Sequence, residues 1–159
     1  MIAMQEIRAA LVQLLKEKAG LPYEVHFNNN QESSKSYFFV EITSRRRTFD
    51  RVYYERFLVV DCQLRLLPDK HDRINVGELH AAMDALDMAI APIFQVRDRY
   101  ITVLNIRSRI VDDILHYEFD LDFADYLPIE VQPFMEELDL RLSVKNISLE
   151  LKEESENAE

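Results

Sequence analysis

His80 and Asp84 stand four residues apart in a stretch of helical periodicity, so both side chains share one helix face. That spacing suits two ligands of one metal ion. No third and fourth ligand accompany the pair, which reads more simply as a surface ion pair. Cys62 is the lone cysteine, so no internal disulfide is possible, and its place on the inward side of a strand pattern makes it a buried thiol rather than a nucleophile. Gly20 and Gly77 are the only glycines, which leaves no glycine-rich loop to cradle a phosphate. Glu118, Asp120 and Asp122 alternate along one strand. Two acids that cleave a glycoside would need a cleft and a raised pKa, whereas this spacing is that of a solvated or negatively charged sheet face. Arg45, Arg46 and Arg47 form the one basic cluster. Three uses are open to it: contact with nucleic acid, salt bridges at a protein interface, or solvation of a strand end. No aromatic platform is evident beside it in the sequence, which favours the interface over nucleic acid. These residues compose no catalytic set. The chain is expected not to be an enzyme, with no cofactor and no metal.

The elements that must carry them follow from periodicity. Met4, Ile7, Leu11, Leu14 and Leu15 make one apolar face of a helix over residues 2–19, with Lys16 and Lys18 in the last turn and Gly20 and Pro22 as stops. A short strand, 23–27, and a polar loop, 28–36, come next. Strict alternation then predicts two long strands, 37–48 and 53–67, joined by a turn at 49–51. Phe38, Val40, Ile42, Leu58, Val60, Cys62, Leu64 and Leu66 point inward. Asn75 and Glu78 cap a second helix, whose stripe is Leu79, Met83, Leu86 and Ile90 and which ends near Pro92. A second hairpin turns at Asp112 and Asp113. Its register sets Val111 against Ile114, Arg107 against Glu118, Ile106 against Phe119, Asn105 against Asp120 and Leu104 against Leu121. Asp120 and Asp122 are then expected to be unpaired charges. Leu138, Leu140, Leu142 and Val144 alternate with polar residues and predict a further strand, as do Ile147, Leu149 and Leu151.

The expected architecture is α+β: a mainly antiparallel β-sheet with two α-helices packed on one face. Its other face carries Tyr37, Phe39, Phe57 and Val59 among polar residues, and self-association would cover that partly apolar surface. The 159 residues suit one domain over 1–143, followed by an acidic extension, 144–159, whose end has no reason to fold. With 19 basic against 29 acidic residues the formal charge is −10. Such a chain repels a polyanion over most of its surface, so it should let DNA pass without gripping it. No apolar run is long enough to cross a bilayer, and no membrane is expected as a partner.

In order and spacing, IRAALVQLLKE, SYFFVEI, RVYYERFLVVDCQLRLLP, ILHYEFDLDF and FMEELDLRL resemble the small tail terminator, or tail completion, proteins of long-tailed phages and prophage elements. The resemblance covers about residues 2–142. In place of that family's glycine-containing turn this chain has Phe49, Asp50 and Arg51, and residues 144–159 extend beyond the pattern. The resemblance implies a hexameric ring that binds the end of the finished tail tube, stops its polymerisation and offers a surface to the head. Its partners would be further copies of itself, the tail tube protein and the head–tail connector protein. Its place would be the head-proximal end of the virion tail, after assembly in the host cytoplasm. A head–tail connector or neck adaptor is the alternative within the same machinery, and a small-molecule-binding domain the alternative outside it. On the leading reading, Arg45, Arg46, Arg47, Phe39, Phe57, Val59, Leu138, Leu140 and Leu142 belong to ring or tube interfaces. Asp120 and Asp122 would line the channel.

Overall fold

The computed structural model describes residues 1–28 and 34–126. Helix α1 (Met4–Gln13) starts where the Glu6 carboxylate reaches back to accept the Ala3 backbone N–H at 2.8 Å, which satisfies one of the donors left over at any helix start. The helix continues through one wider, π-helical turn, Leu14–Lys18, after which the Ala19 N–H donates to the Leu14 carbonyl at 2.9 Å. Ile7, Leu11, Leu14 and Leu15 are all buried. Gly20 then takes φ +63°, a left-handed conformation that a residue without Cβ adopts at little cost, and the helix ends where the sequence predicts.

Six strands and a second helix make up the rest of the described residues: β1 (Glu24–His26), β2 (Tyr37–Thr48), β3 (Tyr53–Arg65), α2 (Val76–Ile90), β4 (Ile93–Val96), β5 (Arg99–Val111) and β6 (Ile114–Tyr126). The strands form one sheet in the order β1-β2-β3-β6-β5-β4, antiparallel throughout except that β1 runs parallel to β2. The inward set of β2 and β3 is the expected one. Phe38, Val40, Leu58, Val60, Cys62 and Leu64 are buried, and Ile42 and Leu66 partly so. From β6 come Leu115, Tyr117, Phe119, Leu121 and Phe123. Both helices pack on this face and close a single core, so the fold class is α+β as expected. Helix α2 is capped by the Asn75 side chain, which accepts the Glu78 N–H at 3.3 Å; it buries Leu79, Ala82, Leu86, Ala89 and Ile90 and stops before Pro92. Two tyrosines tie it down. Tyr117 donates from the core face of β6 to Asp87 at 2.6 Å, and Tyr23 donates to Glu78. Partial burial, with the Glu78 carboxylate beside it, pushes the Tyr23 hydroxyl up to about 12.

The turn of the first hairpin, whose type cannot be read from Phe49, Asp50 and Arg51, is built on a side chain. Asp50 accepts the backbone N–H groups of Val52 and Tyr53, each at 2.7 Å, and those two bonds hold its carboxyl below the usual carboxylate range.

The second hairpin departs from its expected register. Its turn is at Asp112 and Asp113, both with positive φ (49° and 61°), as a type I′ turn requires. Pairing runs as predicted from Val111↔Ile114 to Arg107↔Glu118, then shifts. A bulge at Asn105, which also has positive φ, inserts one residue, so Val103 faces Leu121 and Leu104 faces Asp120. One extra residue inverts the faces of everything beyond it. Leu104 and Ile106, expected in the core, are solvent-exposed, while Ile101 and Val103 are buried in their place. Asparagine tolerates the left-handed region better than most residues, which suits it to the bulge. The turn itself has no glycine. Asp113→Gly should therefore relieve left-handed strain and stabilise the protein by about 0.5–1 kcal/mol, read as a rise in the thermal unfolding midpoint.

The expected domain boundary at 143 and the strands expected over 138–151, including Leu138, Leu140 and Leu142, lie outside the described residues.

Candidate interaction surface

With both helices on the inner face, the outer face of the sheet carries no covering helix among the described residues. Its side chains fall in rows across β2, β3 and β6: Phe39–Gln63–His116, Glu41–Asp61–Glu118, Thr43–Val59–Asp120 and Arg45–Phe57–Asp122. The second row sets three carboxylates on adjacent strands, where like charges oppose pairing. Neighbouring groups offset this. Asp61 accepts the Gln63 side-chain amide at 2.8 Å and pairs with His116 Nδ1 at 3.0 Å; Arg107 lies 3.4 Å from Glu118, and Arg109 3.3 Å from it.

Asp120 is not the unpaired charge that an unbroken register gives. The bulge makes Leu104 its direct partner, yet both polar neighbours still reach it: it accepts from the Asn105 amide at 2.8 Å and from Arg107 at 3.3 Å. Asp122 sits beside Phe57 and makes no hydrogen bond or ion pair among the described residues.

The apolar content of the face is also more covered than its sequence suggests. Tyr37 is buried, with the His26 ring of β1 edge-on against it at 5.2 Å. Arg65 lies over the half-buried Phe39 ring at 5.4 Å, and Arg45 over the half-buried Phe57 ring at 5.3 Å. Val59 alone of the expected patch is exposed, at 38%. The arginine run has aromatic company after all. Arg45 is stacked on Phe57, Arg46 on Tyr54 at 3.9 Å and Arg47 on Phe49 at 5.4 Å. Each guanidinium is attracted to the negative face of a ring, which orients it while leaving its hydrogen-bond donors available. None of the three forms an ion pair among the described residues. They stand on the most exposed part of β2, since every residue from Thr43 to Thr48 is solvent-facing.

The other residues with possible chemistry are dispersed. His80 and Asp84 are both exposed on the outer side of α2, and no bond joins them. Cys62 is fully buried, and burial, with Asp61 adding a smaller push, drives its thiol far above the ordinary range, which suppresses the reactive thiolate. No group of three His, Cys, Asp or Glu positioned to hold a metal ion occurs among the described residues. A shallow groove of about 470 Å³ runs between α1 and β4, where Glu6 and Arg97 are ion-paired.

An α+β sheet with an ion-paired outer face and an arginine-lined edge is a surface suited to contact with other proteins. The profile of the phage tail terminator protein family matches residues 6–133. The chain belongs to that family, a family of structural phage tail proteins. No curated protein sequence matches it. A solved structure resembles it at 16% identity, with a TM-score of 0.36, over 82% of this chain and 99% of that one.

Proposed function

We propose that this protein closes the finished tail tube as a ring of six copies, halts tube growth and presents its far side to the head–tail connector. Membership of the terminator family carries this reading. The outer face supports it, because a capping ring works through broad complementary surfaces rather than through a pocket, and the protein acts without catalysis or a cofactor. Arg45, Arg46, Arg47 and Val59 belong to the contacts between copies or with the tube. Asp122 faces the channel through which DNA passes without binding. Its location is the head-proximal end of the virion tail, reached after assembly in the host cytoplasm.

Gold-labelled protein mixed with assembled cognate tail tubes should decorate one end of each tube in negative-stain images and stop further elongation. Label spread along the tube walls, or none on the tubes, would exclude capping. Label only on isolated connector rings would assign the protein to the neck instead.

A further inference from the structure

Strand β1 pairs only with Tyr37, Phe38 and Phe39 of β2. From Val40 to Thr48 the free edge of β2 has no neighbour among the described residues, so a row of backbone donors and acceptors stands open to another strand. Charged side chains usually blunt such an edge, and Arg45, Arg46 and Arg47 alone would do so. Glu41 changes that reading. It is exposed on the same face as Arg47, opposite Asp61, where like charges leave it in want of a cation. Arg47 stands opposite Glu55 without pairing with it, and neither Glu41 nor Arg47 makes an ion pair or side-chain hydrogen bond among the described residues.

We propose that two copies of this chain pair antiparallel along this edge, about a two-fold axis through Ser44. Ser44 is the midpoint of the open stretch, Val40 to Thr48. In that register Glu41 of each copy stands beside Arg47 of the other, Thr43 beside Arg45, Ile42 beside Arg46 and Val40 beside Thr48. The acid–arginine pair is therefore formed twice, and the whole open edge of each copy is used. Neighbouring registers match less well. Moving the axis to Thr43 runs Arg47 and Thr48 into the place that β1 holds beside Phe39 and Phe38, and moving it to Arg45 sets that arginine against itself. The core side has room for the incoming strand. A groove of about 410 Å³ runs along Val40, Glu41 and Ile42 between β2 and α1, lined also by Met4, Arg8 and Phe27. Arg46 and Thr48 of the second copy would enter it, since both lie on the core side of β2.

In a ring whose copies all face the same way, each copy meets its neighbour through two different surfaces. A self-paired edge therefore belongs to the free protein rather than to such a ring. The pair keeps an adhesive edge covered before assembly, and opening it releases the same arginines for the contacts of the proposed function.

Sedimentation velocity on the full chain tests this. The wild type is expected to form dimers in a concentration-dependent way. Glu41→Arg and Arg47→Glu should each raise the dimer dissociation constant at least about tenfold, because each sets like charges together twice. The double variant E41R/R47E exchanges the two signs and should return association to the wild-type range. Thermal melts confirm that each variant is folded. Under mild oxidation Ser44→Cys, on the axis, should cross-link more readily than Thr43→Cys, whose two copies lie diagonally across it at roughly the 7 Å limit for a disulfide. Cys62 is buried and stays out of the exchange. A wild type that stays monomeric, a dimer that both single swaps leave intact, or a double variant no tighter than the single ones would overturn the pairing, and the reverse order of cross-linking would overturn this register. Tubes capped by a protein that never dimerises would leave the proposed function standing, and dimers that cap nothing would remove the function but keep the pairing.

Discussion

Asp125→Asn is expected to lower the stability of the protein by about 2–3 kcal/mol at neutral pH, because a buried carboxylate is replaced where its donors remain. The residue lies on the inner side of β6 opposite Tyr54 and is 2% exposed. It accepts the Ile2 backbone N–H at 2.6 Å and that of Tyr126 at 3.0 Å, with the Arg99 guanidinium 3.6 Å away. Arg56 donates to the Ile2 carbonyl at 2.9 Å, so the two side chains hold the segment before α1 against the sheet through the N–H and the carbonyl of one residue. Burial by itself would raise the Asp125 pKa, but the bonds from Ile2 and Tyr126 prevail and hold it below the usual carboxylate range. A folded-state pKa below the unfolded value of about 3.9 means that the ionised group stabilises the fold above that pH. That contribution is lost as pH falls through the folded pKa. Denaturant melts at pH 7 and at stepped pH below 5 should therefore show a constant gap between wild type and variant that closes only in acid. A gap unchanged down to pH 2, or none at pH 7, would show that the carboxylate does not pin the N-terminal segment.

Asp125 also marks a limit of what alternation can reveal. Period-two patterning puts it on the same side as Leu121 and Phe123, so a buried charge is legible there. Its partner is not, since Ile2 is 123 residues away and contributes a backbone N–H that every residue but proline possesses. The long strands β2, β3 and β6 and both helices are legible because each alternates or repeats over ten or more residues. Strand β4 does not stand out although Ile93, Phe94, Gln95 and Val96 alternate, because four residues after a proline carry too short a pattern. The bulge at Asn105 is hidden for a different reason. The expected register is sound on chemical grounds up to Arg107, and Leu104 and Ile106 look as suited to a core as Ile101 and Val103 do.

The surface chemistry is legible as composition and not as pairing. Arg45, Arg46 and Arg47 can be seen as an exposed cluster, but the rings beneath them belong to the neighbouring strand and to the turn. Cross-strand register, once fixed, places Arg45 beside Phe57 directly, so that stack could have been found by writing the first hairpin out pair by pair. The Arg46–Tyr54 stack is diagonal, since Arg46 pairs with Arg56, and only the twist and side-chain reach of the folded sheet reveal it. The same holds for Asp120, whose neutralising contact with Arg107 is also diagonal, since Arg107 pairs with Glu118.

That neutralisation changes what a test of the proposed channel should alter. If the outer face lines the channel, the charge available to repel passing DNA comes from Asp122, which has no partner among the described residues, and from whatever Arg107 leaves of Glu118 and Asp120. Asp122→Lys would place a cation at that position in every copy of the ring. Lysines facing the duplex would exchange with its condensed counterions, retain the genome and reduce infectious titre by about tenfold or more, with the loss eased at higher salt. Arg107→Ala acts in the opposite direction by exposing the two carboxylates it now pairs, and should leave titre unchanged. The variants are compared in virions shown to contain them, and ejection is followed by dye uptake into released DNA. A salt-dependent defect in Asp122→Lys without one in Arg107→Ala would place this face on the channel, because loss of an assembly contact would act before the head is joined and would not follow the sign of the charge. Normal titre and ejection from Asp122→Lys virions would instead put the face on the outside of the ring, where the acids serve to keep the surface hydrated.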